Sequence, residues 1–233
     1  MDSATLTFVA LAPVAAVFTF VYLRDNKSNR EPIRLLLLNF LVGVLSAVPV
    51  LIVELWLAKR IAAMEASHFV FILTTAFAGV ALVEEGFKLL GLLGVGYRNR
   101  HFDEPYDGIM YSVAVSLGFA AIENVLYTFQ GGLEVGLLRS FSSIPGHAMM
   151  GVLMGYFVGL AKFQDNRFRK IALWMVGLLA ATIVHGLYDF FLMYKEQMLF
   201  PLAFVVLIIG IVLGLRAMRL QRKRSQAQSQ SQA

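Results

Sequence analysis

Glu84, Glu85 and Lys88 lie within AGVALVEEGFKLLGLL (78–93), a stretch otherwise apolar. Three more apolar runs carry groups of the same kind: Glu123 and Asn124 in GFAAIENVLY, His147 in SIPGHAMMG, and His185 with Asp189 in IVHGLYDF. Neutral imidazoles and carboxylates are the ligand set of zinc or another divalent ion with an open position for water, and a nearby glutamate takes that water's proton. The same groups also work without an ion, a glutamate activating water and histidines stabilising an oxyanion. No HExxH is present, and ligands drawn one per helix leave the choice open.

Helical spacing narrows the geometry. His185 and Asp189 are four residues apart, one turn along a common face, so the carboxylate orients the imidazole or shares a ligand with it. Glu84 and Lys88 have the same spacing, while Glu85 lies about 100° round the helix. Lys88 therefore neutralises one glutamate and leaves the other for chemistry. A structural ion pair between helices would account for a lone Glu and Lys; two histidines and a further acidic helix weigh against it. His147 alone would be a helix-contact histidine. It is followed, however, by Gly151, Gly155 and Gly159 at four-residue steps, a small-residue ridge that admits another helix and its polar groups closely.

The elements that must position these residues are membrane spans. Of 233 residues 58% are hydrophobic and only 15% charged, with mean hydropathy +0.71, too apolar for a soluble domain. Apolar runs near 4–23, 35–57, 69–96, 108–129, 143–160, 171–193 and 199–215 predict an all-α, polytopic transmembrane bundle of about seven spans. An ionisable side chain in mid-span costs about 2.5–3.5 kcal/mol on insertion scales, so such residues face a bundle interior or a wet cavity. Four consecutive spans, the third to the sixth, carry them, and Glu54 near the end of the second is the main outlier.

The first apolar run lacks a basic leader and is read as a retained span. Zero cysteines exclude disulfides and thiolate chemistry. The net charge of +5 resides in the connections, which indicates orientation and no nucleic-acid partner. Alternate connections carry 15 and 4 Lys and Arg, predicting the N-terminus outside and the C-terminus inside. Residues 219–233, QRKRSQAQSQSQA with its flanking residues, read as a basic, polar, disordered cytoplasmic tail against anionic headgroups.

EEGFK at 84–88 fits EExxK, Phe119 with Glu123 and Asn124 fits FxxxEN, His147 begins an HA pair, and His185 with Asp189 fits HxxxD, all in order on successive spans. On these motifs the chain, over roughly residues 5–218, resembles the PrsW family of intramembrane proteases, related to the CAAX-prenyl endopeptidase and Abi superfamily. The resemblance implies a single integral-membrane protease domain at 1–218 in the bacterial cytoplasmic membrane. It implies Glu84 and Glu85 as the essential glutamates, one the general base, and His147, His185 and Glu123 as groups that bind a metal or the oxyanion. Lys88, Asn124 and Asp189 complete the polar site. It further implies a single-span anti-sigma factor as substrate, clipped near the outer face.

Depth poses one geometric problem. Glu123, His147, His185 and Asp189 fall in the outer halves of their spans, whereas Glu84 lies too deep if the third span starts at Phe69. A shift of the buried window to about 76–96, or a break near Gly79, brings all of them into one layer, reached by water through a polar cavity. The competing class is a proton- or cation-coupled transporter, whose relays use the same residues, but no two-fold repeat is evident.

Overall fold

The computed structural model describes residues 2–23, 30–194 and 199–232. Arg24, Lys27 and Lys195, counted above for orientation, lie outside the described residues. The elements are α1 (Ser3–Leu23), α2 (Ile33–Ala62), α3 (His68–Thr74), a π-helical segment (Thr75–Ala81), α4 (Leu82–Gly94), α5 (Asp107–Phe141), α6 (Ser143–Lys162), α7 (Arg167–Met193) and α8 (Phe200–Gln232). No strand occurs among the described residues. Side-chain caps begin three helices: Asp2 Oδ1 accepts the Thr5 N–H, the Ser67 side chain accepts the Val70 N–H, and Asn166 Oδ1 accepts those of Phe168 and Arg169.

Among the described residues, six stretches are long and apolar enough to cross a membrane. The longest, Asp107–Lys162, folds back on itself, which reconciles six with the expected seven or so. The turn is at Gly132, where φ is 76° and ψ −165°, a left-handed backbone that favours glycine. The chain beyond it returns into α6, which runs antiparallel to α5: Gly151 faces Ser116, and Gly155 faces Gly108 and Ile109. The glycine ridge thus packs against α5. A Cβ on Gly155 would come 2.7 Å from Ile109 Cα and collide with the Gly108 carbonyl.

This hairpin is the core. Ile109, Tyr111, Leu117, Ile144, Val152 and Met154 are all fully enclosed, and α1, α2, α4, α7 and α8 pack around them. The outer surface is the reverse of a soluble protein's, with Leu37, Leu41, Leu45, Val48 and Leu55 of α2 exposed, as lipid contact requires.

The tail departs from expectation. Residues 219–232 continue α8 as helix, because Gln, Arg, Lys and Ala all support one. Gln221 Nε2 donates to the Pro105 and Tyr156 carbonyls at 3.0 and 3.2 Å, and one turn on Ser225 Oγ accepts the Tyr106 N–H at 3.1 Å. These contacts, with Lys162 Nζ donating to the Tyr97 carbonyl at 2.6 Å, gather the basic connections at the end of the bundle opposite the start of α1.

Gly155→Val should destabilise the protein by about 1–3 kcal/mol through overpacking. Gly94→Val, where an added Cβ meets nothing within 4 Å, should leave it nearly unchanged. Denaturant titration in mixed micelles reads both, and equal stability of the two variants would contradict the packing described.

Candidate active site

The third apolar run carries a π-helical segment where a break near Gly79 was expected. Thr75–Ala81, which contains Gly79, widens the helix without breaking it, and each extra residue per turn rotates everything after it by about 100°. Small Ala76, Gly79 and Ala81 line its buried side, and α7 packs against it, with Gly186 facing the Phe77 ring. Glu84, Glu85 and Lys88 emerge from it on the buried face of α4.

Lys88 is the centre of what they form. Its Nζ donates to Glu84 Oε2 at 3.0 Å, to Glu85 Oε1 at 2.7 Å and to His147 Nδ1 at 3.1 Å. The face of Phe119 lies 4.3 Å away on another side. An ammonium has three N–H bonds, and these acceptors use all of them. His147 Nδ1 must then be the bare nitrogen, so its proton is on Nε2, which donates to Glu123 Oε2 at 2.8 Å.

Glu123 also pairs with the Arg139 guanidinium at 3.0 Å. Arg139 Nε donates to Asn124 Oδ1 at 3.1 Å, and Asn124 Nδ2 donates to the Ala10 carbonyl at 2.8 Å, tying the site to α1. Across the site, His185 Nδ1 is 3.0 Å from Glu85 Oε1, and its Nε2 is 3.3 Å from Asp189 Oδ2 and 4.0 Å from Glu84 Oε2. The two imidazoles stand 5.4 Å apart, nearly perpendicular.

All eight residues singled out from the sequence thus join one network drawn from α4, α5, α6 and α7. Hydrogen bonds and ion pairs link them from helix to helix. A cavity of about 790 Å³ opens onto this network, and Glu84, Glu123, His147, His185 and Asp189 line the cavity. Its lining is chiefly apolar, including Val44, Val48 and Leu51 of α2, so the cavity is less polar than expected. Glu84 lines this space; Glu85, fully enclosed between Lys88 and His185, does not.

Three further residues of the lining carry no motif that marks them in the sequence. Arg139 is the sole Lys or Arg between His101 and Ala161, a sequence signal that it has a specific partner. Glu54 of α2 faces the cavity with Oε1 buried and without a hydrogen bond. Tyr188 joins the lining three residues after His185.

One ligand atom each from Glu84, Glu85 and His147 lies within 4.8 Å of the others, so by type and spacing these residues could hold a metal ion. The same three residues, however, are those bound by Lys88 Nζ. A metal about 2 Å from each donor would sit within about 3 Å of the ammonium, a repulsion of roughly 10 kcal/mol at an effective dielectric of about 20. With Lys88 in place the residues do not fit a metal. The tight donor group also differs from the metal set His147, His185 and Glu123 implied by the resemblance, since His185 and Glu123 lie to either side of it.

The sequence profile described as "PrsW family intramembrane metalloprotease" matches residues 31–215. The chain belongs to the PrsW family. Among its PrsW relatives, Protease PrsW of Geobacillus kaustophilus is 37% identical over 194 residues, covering 83% of this chain and 82% of that protein. Protease PrsW of Bacillus subtilis is 36% identical over 183 residues, 78% and 80% respectively, and that of Clostridioides difficile 33% over 212, 89% and 86%. No solved structure matches significantly. PrsW membership supports an intramembrane protease, and the spans make it a multi-pass membrane protein.

Arg139 and Glu123 are neighbours in one network, so Glu123→Gln and Arg139→Gln should be non-additive in stability, with a coupling of about 0.5–3 kcal/mol. A double-mutant cycle by reversible unfolding in micelles measures it, and simple additivity would mean that Arg139 does not hold Glu123.

Proposed function

We propose that the protein is an endopeptidase that hydrolyses a peptide bond of a single-span membrane protein, with water activated by Glu84. The observation that carries the assignment is the division between the paired glutamates. Glu84 meets the cavity, where water and substrate arrive, while Glu85 anchors Lys88 and His185 behind it. Glu84 takes a proton as the water oxygen attacks the carbonyl carbon. His185 also lines the cavity; its Nδ1 stays on Glu85, and its Nε2–H turns from Asp189 to the oxyanion as charge develops. Glu84 then passes its proton to the departing amine as the C–N bond breaks. His147, whose N–H is committed to Glu123, is a positioning residue for Lys88.

Access for a membrane-embedded substrate is lateral in this reading. Leu45, Val48 and Leu51 of α2 and Leu126 and Tyr127 of α5 both line the cavity and are exposed on the outer surface, so lipid-facing side chains border its mouth. The site lies in the half of the bundle that holds the start of α1, through Asn124 and Ala10, and the basic connections gather at the other end. With those connections in the cytoplasm, the N-terminus and the site face outward in the bacterial inner membrane. An outer-side cut in an anti-sigma factor fits this arrangement.

In proteoliposomes with a single-span anti-sigma-factor substrate, Glu84→Gln should lower turnover about 10²–10⁴-fold with little loss of thermal stability. Glu85→Gln should lower both. Wild-type cleavage rates in Glu84→Gln and His185→Ala would end the peptidase reading, and a proton or cation flux lost in the same variants would favour the transporter. Because the chain has no cysteine, Ser3→Cys and Gln226→Cys give clean topology reporters. An impermeant maleimide added to intact cells should label the first and spare the second, and the reverse pattern would invert the orientation.

A further inference from the structure

The space among Glu84, Glu85 and His147 is shaped for an ammonium. Three of its sides are lone-pair acceptors at 2.7–3.1 Å from Lys88 Nζ, matching the three N–H bonds of that group. The next side is the face of Phe119, 4.3 Å from Nζ. A ring face attracts a cation by its quadrupole but offers no lone pair, whereas a divalent ion such as zinc takes four donors or three and a water. The local sequence builds this cage by itself. In EEGFK the lysine follows the glutamates by three and four residues, and helical side chains lean toward the N-terminus, so Lys88 reaches back over both carboxylates. Nζ is buried, with Lys88 only 1% exposed, and it meets no competing water at the surface.

We propose that Lys88 is the resident cation of this site, occupying with its ammonium the point at which Glu84, Glu85 and His147 would otherwise gather a divalent metal. The protein then works with Lys88 bound, and a metal enters only when that ammonium is removed. The inference takes its catalytic meaning from the peptidase reading above. Lys88 is a positioning residue in it: it holds Glu84 toward the cavity, keeps Glu85 in contact with His185, and sets the proton of His147 on Nε2.

The test uses the full-length protein in micelles, incubated with zinc, passed through a desalting column and assayed for bound metal and melting temperature. Wild type should retain no stoichiometric zinc, and phenanthroline should not change its melting temperature. Lys88→Ala should bind one zinc per chain and melt higher with zinc than without, and Lys88→Ala/His147→Ala should lose that shift. Stoichiometric zinc in wild type, with a melting temperature that falls on chelation, would overturn the proposal. So would a folded Lys88→Ala that takes up no zinc. The wild-type arm decides even if the variant fails to fold. None of these readouts requires peptide cleavage, so a protein that holds no zinc but cleaves nothing would defeat the peptidase reading and leave this inference standing.

Discussion

The structure depends on a constraint that water would remove: charges placed within an apolar bundle must satisfy one another. Glu84, Glu85, Glu123 and Asp189 converge on one network, and each reaches a cationic or imidazole partner: Lys88, Arg139, His147 or His185. Breaking a buried pair leaves an uncompensated charge at a cost of about 3–5 kcal/mol. The network is therefore held as a unit, and Lys88, which touches three of its members from the middle, connects its two halves.

A network of this kind holds its geometry only if the helices bearing it cannot slide. That rigidity comes from close backbone approach at the α5–α6 hairpin, where Gly155 lies against Gly108 and Ile109, and from the Asn124 link to α1. In lipid no hydrophobic force drives helices together, so small-residue contact and interhelical hydrogen bonds carry the association. The hairpin sets the heights of Glu123 and His147, and the π-helical segment sets the rotation of Glu84 and Lys88 to meet them.

Reactivity requires the opposite of complete satisfaction at one point. Glu84 meets the cavity while Glu85 is closed off, so two adjacent carboxylates of the same helix differ in access to water. Arg139 and Glu54 add charge at the cavity wall from elements outside the four motifs, a return segment after Gly132 and α2. The mostly apolar lining suits the proposed peptide substrate, which would arrive from the bilayer.

The amino-acid order alone determined the all-helical membrane class, the spans, and the eight residues of the network, because hydropathy and the burial cost of ionisable groups are local properties. It also placed Lys88 one turn from Glu84, but the expectation that Lys88 would leave the other glutamate free failed, since its ammonium binds both. It did not reveal the π-helical segment, the helical continuation of 219–232, or the roles of Arg139 and Glu54. Those depend on contacts between residues distant in the chain: α7 against Thr75–Ala81, Gln221 and Ser225 against 105–106, and Arg139 against Glu123. Nor could it decide which glutamate faces the cavity or what fills the space between them. Adjacent residues share a composition and a helix, and only the packing of the other helices around them makes one exposed and the other enclosed.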